Sequence, residues 1–292
     1  MGGIRAMTEP QLGLIYDRVR LEEKAIMRAA RKRGLRINSI DAKKICLDLT
    51  TKDSREFGHV VIQRCVSYFR GLHLAFVLKE MDIPTINSFD TSQICGDKLF
   101  ATLAFIKEKI PTPRTFLAFT PEEAIKAAEN LGYPSVLKPV VGSWGRLIAP
   151  LKDRESAEAI LEHREQLSSP IFHIYYVQEM VTRPPRDIRA VVVGEEVVAA
   201  MHRHAASNDW RTNLARGGKA VRLEITPEFE ELALKAAKAV GGGVLGVDMM
   251  EGPDGLLVHE VNSTVEFKGL SHVTDVDIAG KIVEYAIGLV KK

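Results

Sequence analysis

The sequence predicts an α/β protein with α+β elements, in which a small parallel α/β unit precedes two further units. Three observations predict it. Over residues 12–87 short apolar runs alternate with amphipathic stretches, the pattern that a parallel sheet with crossover helices requires. Two pairs of apolar runs flank turn residues, one pair around Gly194-Glu195-Glu196 and the other around Gly252-Pro253-Asp254-Gly255, and each pair reads as a hairpin. The chain has 292 residues, 46% hydrophobic and 27% charged, which is enough for two or three units with their own cores. The expected units are 1–91, 92–172 and 173–292.

Taken in order, residues 1–11 read as a disordered start, 12–16 as a buried strand and 22–33 as a helix ended by Gly34 at its C′ position. Strands are expected at 36–40 and 59–63, a helix at 72–81 and a short strand at 83–87. The first strand is not followed by GxGxxG, which argues against a dinucleotide site there. The second unit opens on Cys95-Gly96-Asp97-Lys98 and a helix over 99–109, broken by Ile110-Pro111-Thr112-Pro113. A helix over 121–131 carries Thr120, Pro121 and Glu123 in a capping-box arrangement. Residues 133–141 read as a strand with Lys138 inside an apolar run, followed by the small-residue loop Gly142-Ser143-Trp144-Gly145-Arg146 and a helix over 155–166. The third unit is expected to start with a strand over 173–179, followed by the two hairpins, a helix over 227–240 between them, and a terminal helix from Asp277.

Composition removes several classes of function. No apolar run approaches the ~20 residues that span a bilayer, and no signal pattern opens the chain, so a cytoplasmic location is expected. Three well-separated cysteines, Cys46, Cys65 and Cys95, fit neither a disulfide framework nor a CxxC metal site. A net charge of +2 speaks against a strongly basic nucleic-acid binder. Locally, however, Arg183, Arg186, Arg189, Arg203, Arg211 and Arg216 crowd a stretch poor in acids, which suits an anion site.

The hairpin at 247–262 holds the clearest chemistry. Strand period places Glu260 and Asn262 on one face, and a three-residue loop over 253–255 sets Asp248 opposite Glu260, whereas a four-residue loop slips the register by one. Two carboxylates and an amide oxygen suit Mg²⁺ rather than Zn²⁺; an ordinary hairpin with a polar wet face is the alternative. Two carboxylates about 4 Å apart repel by ~1 kcal/mol in water and ~4 kcal/mol at an effective dielectric of 20, so together with a triphosphate they need cations between them. Lys138, buried by the strand pattern, needs an anion beside it unless its head reaches water. Lys98, in the first turn of a helix, is mildly mismatched to the helix dipole and hints at a ligand. The 142–146 loop lacks GK[ST], yet its glycines allow backbone N–H groups to close over phosphates beneath Trp144. His202 and His204 stand two apart without a third metal ligand nearby, and a solvated or phosphate-facing pair is the better reading. Arg189, Arg203, Asn213 and Arg216 are candidates for binding carboxylate or phosphate oxygens.

The order of these motifs is more specific than any one of them. Gly96-Asp97-Lys98, Val136-Leu137-Lys138-Pro139, the glycine loop, Val177-Gln178-Glu179-Met180-Val181, Arg186-Asp187-Ile188-Arg189, and Asp248 with Glu260-Val261-Asn262 together resemble the ATP-grasp superfamily of carboxylate–amine ligases, over essentially the whole chain. Within it, Arg64-Cys65-Val66-Ser67, residues 142–147, Ala215-Arg216-Gly217-Gly218 and Glu266-Phe267-Lys268 are similar to the ligases that load an amino acid onto the small acidic amino-group carrier protein of lysine and arginine biosynthesis.

The resemblance implies an ATP-grasp fold behind the small parallel domain, with ATP and two Mg²⁺ ions as cofactors. It implies that Lys98 and Lys138 meet the α and β phosphates, that Ser143, Trp144 and Gly145 cover them, that Gln178, Glu179 and Val181 hold adenine, and that Asp187 lies near the ribose. Asp248, Glu260 and Asn262 become the metal ligands, and Arg189, Arg203 and Asn213 steady the transferred phosphoryl group and the oxyanion. Arg64, Ser67, Glu266, Phe267, Lys268 and Gly269 become the substrate residues. The implied partners are the carrier protein, the amino acid and further copies of the chain in a dimer or tetramer.

Overall the chain looks closer to the α-aminoadipate enzymes. After Glu266-Phe267-Lys268 those enzymes show Asn and a small polar residue, whereas the glutamate enzymes show Gly-Phe, and Gly269-Leu270 departs from both, which leaves dual use open. The rival readings are a glutamate ligase acting on a ribosomal-protein or cofactor tail, and a non-catalytic ATP-binding regulator.

Overall fold

Three sheets divide the chain, and their order places the chemistry described below. The computed structural model describes residues 11–51, 56–206, 210–212 and 217–290; the expectation for residues 1–10 lies outside them. The first sheet contains β1 (Gln11–Tyr16), β2 (Arg36–Asp41), β3 (Val60–Gln63) and β4 (Thr85–Ile86), all parallel in the order β2-β1-β3-β4. Helices α1 (Leu21–Lys32) and α2 (Tyr68–Glu80) connect its strands. Leu12, Leu14, Val60 and Ile62 pack on the α1 side, while Ile15 and Val61 join Leu74 and Leu78 of α2 on the other. Period two along buried strands produces this split.

Helix α2 begins at Tyr68, four residues before the start expected from its apolar pattern. Next come α3 (Phe89–Gly96) and α4 (Lys98–Lys107). The sequence pattern did not foretell α3. Its N-cap Ser88 accepts the Thr91 N–H at 3.1 Å, and Asp97 caps α4 by accepting the Leu99 N–H at 2.8 Å.

The central sheet is antiparallel, in the order β5-β8-β6-β7, built from β5 (Thr115–Ala118), β6 (Ser135–Lys138), β7 (Ala149–Leu151) and β8 (Tyr175–Glu179). Helices α5 (Pro121–Leu131) and α6 (Arg154–Glu165) cover one face with Ala124, Ala128 and Leu161. Thr120 Oγ1 caps α5 by accepting the Glu123 N–H at 3.3 Å, but the Glu123 carboxylate pairs with Lys126 instead of closing the expected box. The expected boundary at 172/173 is corrected, because β8 pairs with β5 and β6 in this sheet. The chain therefore leaves the central unit between Glu179 and Arg186.

The third sheet is antiparallel, in the order β11-β10-β9-β12-β13, from β9 (Arg186–Val193), β10 (Glu196–His204), β11 (Lys219–Arg222), β12 (Val244–Gly252) and β13 (Gly255–Asn262). Helix α7 (Pro227–Ala239) and α4 cover one face, where Phe105 and Phe229 meet Ile188, Ala190, Leu245 and Val247. Although α4 falls inside the expected central unit, it therefore packs on the third sheet. On the other face α8 (Ile278–Val290) shares one core with the first sheet: Ile282 and Val283 cluster with Leu14 and Ile62 and with Val191 and Val244. Gly243, at φ +117°, admits no side chain at this junction, since an added Cβ would lie 2.1 Å from Asn87 Oδ1.

Candidate active site

One face of the third sheet carries the polar residues that its other face lacks. Across four strands Asp187 is paired with Arg203, Arg189 with Asp248, and Asp248 with Glu260, so these side chains share a face. Asp248 does stand opposite Glu260, but not through a three-residue loop. Gly252 pairs with Gly255 across a two-residue turn, and a bulge between Asp248 and Met249 shifts the register by one at His259. A bulge places two successive side chains opposite one partner, and His259 and Glu260 accordingly both line the same cavity.

That cavity is about 930 Å³ and draws its walls from all three units, a size that suits a nucleotide-scale ligand. On its floor Arg189 holds Asp248 through two bonds of 2.5 Å, and Arg203 holds Asp187 through two of 2.7 Å. Arg203 Nη2 also lies 3.2 Å from Asp248, and Thr212 Oγ1 donates to Asp187. Burial pushes the Asp248 carboxyl upward, but Arg189 and Arg203 outweigh it and hold the group well below the usual carboxylate range. Burial likewise works against the Arg203 charge, and Asp248 and Asp187 more than restore it. The arginine cluster thus stands among acids, Asp187 from within its own stretch and Asp248 and Glu251 brought in by the fold; Arg186 pairs with Glu251 at 2.7 and 2.8 Å.

The two lysines approach from the other units. Lys98, the first residue of α4, donates to the Gly142 carbonyl at 2.9 Å and lies 3.4 Å from Glu260. Lys138, only 8% exposed, donates to Gln178 Oε1 at 2.5 Å. Burial lowers its pKa to about 8, with Lys98 and Arg183 adding to the effect and Glu260 opposing it. Above them the 142–146 loop turns through Trp144 at φ 59° and Gly145 at φ 65°. Arg211 reaches across to donate to the Gly145 carbonyl at 3.1 Å.

Asp248, Glu260 and Asn262 present an oxygen-only donor set. Asn262 turns its Nδ2 toward Asp248 Oδ2 at 3.3 Å, which leaves its Oδ1 for a cation, and the set fits magnesium. Among the described residues no group of three or more His, Cys, Asp or Glu is placed to hold a metal.

Other expected site residues are distributed unevenly. Ser143, Trp144, Gly145, Asp187, Glu266, Lys268 and Gly269 line the cavity. Gln178, Glu179 and Val181 do not; Gln178 backs Lys138, and Glu179 Oε1 accepts the Arg114 N–H at 2.9 Å. Asp187 is held by Arg203 through both oxygens and accepts from Thr212. Of the expected substrate residues, Arg64 is buried against Glu23, and the Phe267 ring is 1% exposed in the core beneath α8. Ser67 is the N-cap residue of α2, off the cavity wall. Asn213 and Arg216 lie outside the described residues. His202 and His204 stack edge to face, and neither lines the cavity. The sequence reading missed Arg20, Thr212 and His259, all on the wall.

Comparison with known families resolves what this constellation is. The LysX preATP-grasp domain matches residues 12–94, and the RimK-like ATP-grasp domain matches residues 95–286. The chain belongs to the RimK-like ATP-grasp family. The two matches meet within α3, near the expected boundary at 91/92, and the expected ATP-grasp fold behind a small parallel domain holds. As a member of this family the protein is a carboxylate–amine ligase that binds ATP, typically with magnesium.

The family member is similar to the alpha-aminoadipate–LysW ligase LysX of Saccharolobus solfataricus, with 39% identity over 277 residues, 94% of this chain and 99% of that one. With the glutamate–LysW ligase ArgX of Sulfolobus acidocaldarius it shares 35% identity over 276 residues, 94% and 97% of the two chains. Among solved structures, the RimK domain ATP-grasp protein of Sphaerobacter thermophilus superposes with TM-score 0.81 at 26% identity, over 95% of this chain and all of that one. The D-alanine–D-alanine ligase of Bacillus anthracis complexed with ATP, at 17% identity and TM-score 0.68 over 97% of each chain, shares the fold. No helix among the described residues is long and apolar enough to cross a membrane.

Proposed function

We propose that the protein joins the α-amino group of α-aminoadipate, and also of glutamate, to the side-chain carboxylate of the C-terminal glutamate of a small acidic amino-group carrier protein. The reaction runs through an acyl phosphate and belongs to lysine biosynthesis, with arginine biosynthesis served where glutamate is taken. The observation that carries this reading is the convergence of Lys98, Lys138, Asp248, Glu260, Arg189 and Arg203 on one cavity in a chain comparably similar to ligases of both amino acids.

A free carboxylate is a poor electrophile, and phosphorylation makes it reactive toward an amine. Lys98 and Lys138 hold the nucleotide phosphates, which supply the anion that the buried Lys138 ammonium lacks. Asp248, Glu260 and Asn262 hold magnesium, as two ions, which neutralises phosphate charge when bound. Arg189 and Arg203, with Asn213, steady the transferred phosphoryl oxygens and the tetrahedral oxyanion; Asp187 acts by fixing Arg203 in two bonds. The 142–146 loop covers the phosphates, and Trp144 excludes water. Lys268 and Gly269 face the amino acid. The protein works in the cytoplasm as a homo-oligomer, a dimer or tetramer.

A carrier-dependent ADP-release assay tests this reading. ADP formation is expected only with carrier and amino acid both present, with α-aminoadipate and glutamate both accepted. ADP release that is unchanged by leaving out the carrier would overturn it in favour of another acceptor.

A further inference from the structure

The segment 263–268 crosses from β13 to the cavity wall, and four residues of the first unit hold it at successive points. Asn87 Nδ2 donates to the Ser263 carbonyl at 2.6 Å. Arg64 Nη1 donates to the Val265 carbonyl at 2.9 Å. Arg20 Nη1 donates to the Glu266 carboxylate at 2.9 Å, and Glu22 Oε1 accepts the Lys268 N–H at 3.0 Å. Between these points the Phe267 ring is sunk in the core.

The clamp is itself cross-braced. Glu23 takes Arg20 through Nε at 3.2 Å and Nη2 at 2.8 Å, and takes Arg64 Nε at 3.1 Å. Glu22, Glu23 and Arg64 are 3%, 0% and 3% exposed. Helix α1 gains nothing from burying two acids in its first turn, because an exposed carboxylate serves the helix dipole equally well. Burying them costs desolvation, which the bonds to Arg20, Arg64 and the Lys268 N–H offset in part. Such an arrangement is suited to fixing geometry. What it fixes is the backbone of 265–268, from which the exposed Lys268 side chain and Gly269 face the cavity.

We infer that Arg20, Glu22, Glu23, Arg64 and Asn87 form a positioning clamp for residues 263–268, so that the first unit sets how tightly the amino acid is bound. The residues act through the segment and not on the reacting atoms. The inference rests on the reading that Lys268 and Gly269 face the amino acid.

Glu22→Ala and the conservative Glu22→Gln test it, with Arg20→Lys as a third variant that keeps the charge but loses the fork. Glu22→Ala is expected to speed hydrogen exchange at the Lys268 amide and to raise the amino-acid KM about tenfold or more. ATP KM and kcat should stay within about twofold, since the nucleotide contacts are elsewhere. Glu22→Gln keeps an oxygen for the Lys268 N–H and should restore most of the affinity; Arg20→Lys, at a residue that also lines the cavity, should likewise speed exchange at the Lys268 amide and raise the amino-acid KM. Unchanged exchange in Glu22→Ala would overturn the clamp. Faster exchange with an unchanged amino-acid KM would overturn its role in binding, as would amino-acid and ATP KM rising together in both Glu22→Ala and Arg20→Lys. Should the wild-type protein show no dependence on amino acid or carrier, the functional reading fails on its own account, and the exchange measurement still decides the clamp.

Discussion

At the scale of the residue, sites were legible where a local rule is broken. Lys138 in an apolar strand and two acids opposite one another in a hairpin each violate an ordinary preference, and both lie on the cavity. Arg20 and Glu22 break no rule that sequence displays, because their partners Glu266 and Lys268 lie 246 residues away. Lys138 also carries a pH prediction. Burial lowers its pKa to about 8, with Lys98, Arg183 and Glu260 nearby. A lysine depressed on folding contributes stability above its unfolded pKa and loses it as pH falls toward about 8. Bound phosphates favour the ammonium, so ATP binding slightly above that pH should take up a proton. Calorimetry in buffers of different ionisation enthalpy should show this uptake, and Lys138→Met should abolish it along with most of the affinity.

Among the elements, long amphipathic helices and the two hairpins were readable from period alone, whereas short edge strands were not. Strand β7 contains Pro150, and β11 reads Lys219-Ala220-Val221-Arg222; each is an outer strand of its sheet, where proline and charge are tolerated. The Asp248–Glu260 pairing came out as expected for a different reason, since a shorter turn and a bulge compensate in register. Helix α4 was readable as a helix, but its packing partner was not. It places Lys98 in its first turn while Phe105, fully buried, anchors it to the third sheet. Phe105→Ala should cost about 3–5 kcal/mol of stability, measured by denaturant unfolding. Because the helix carries Lys98, nucleotide affinity should fall as well; a variant that loses stability but keeps full ATP affinity would show that Lys98 is placed independently of this anchor.

For the molecule as a whole, alternation of strands and helices revealed the parallel first unit, yet chain order misassigned β8, because sheet membership depends on pairing and not on sequence proximity. The same holds for α8, which joins the first and third sheets in one core. Ile282→Ala should cost about 2–5 kcal/mol and lower amide protection in β1 and β9 together. Leu161→Ala, inside the separate central core, should leave those strands protected; hydrogen exchange followed by mass spectrometry distinguishes the two. This shared helix also bears on synthesis. The first-sheet strands it covers are translated early, and α8 follows every other described element. At ~5–20 residues per second the α8-facing side of the first sheet waits roughly ten to fifty seconds for its cover. During that interval a nascent chain displays Leu14 and Ile62 without their final neighbours, so the ribosome-bound protein should be a client of chaperones that recognise apolar surface.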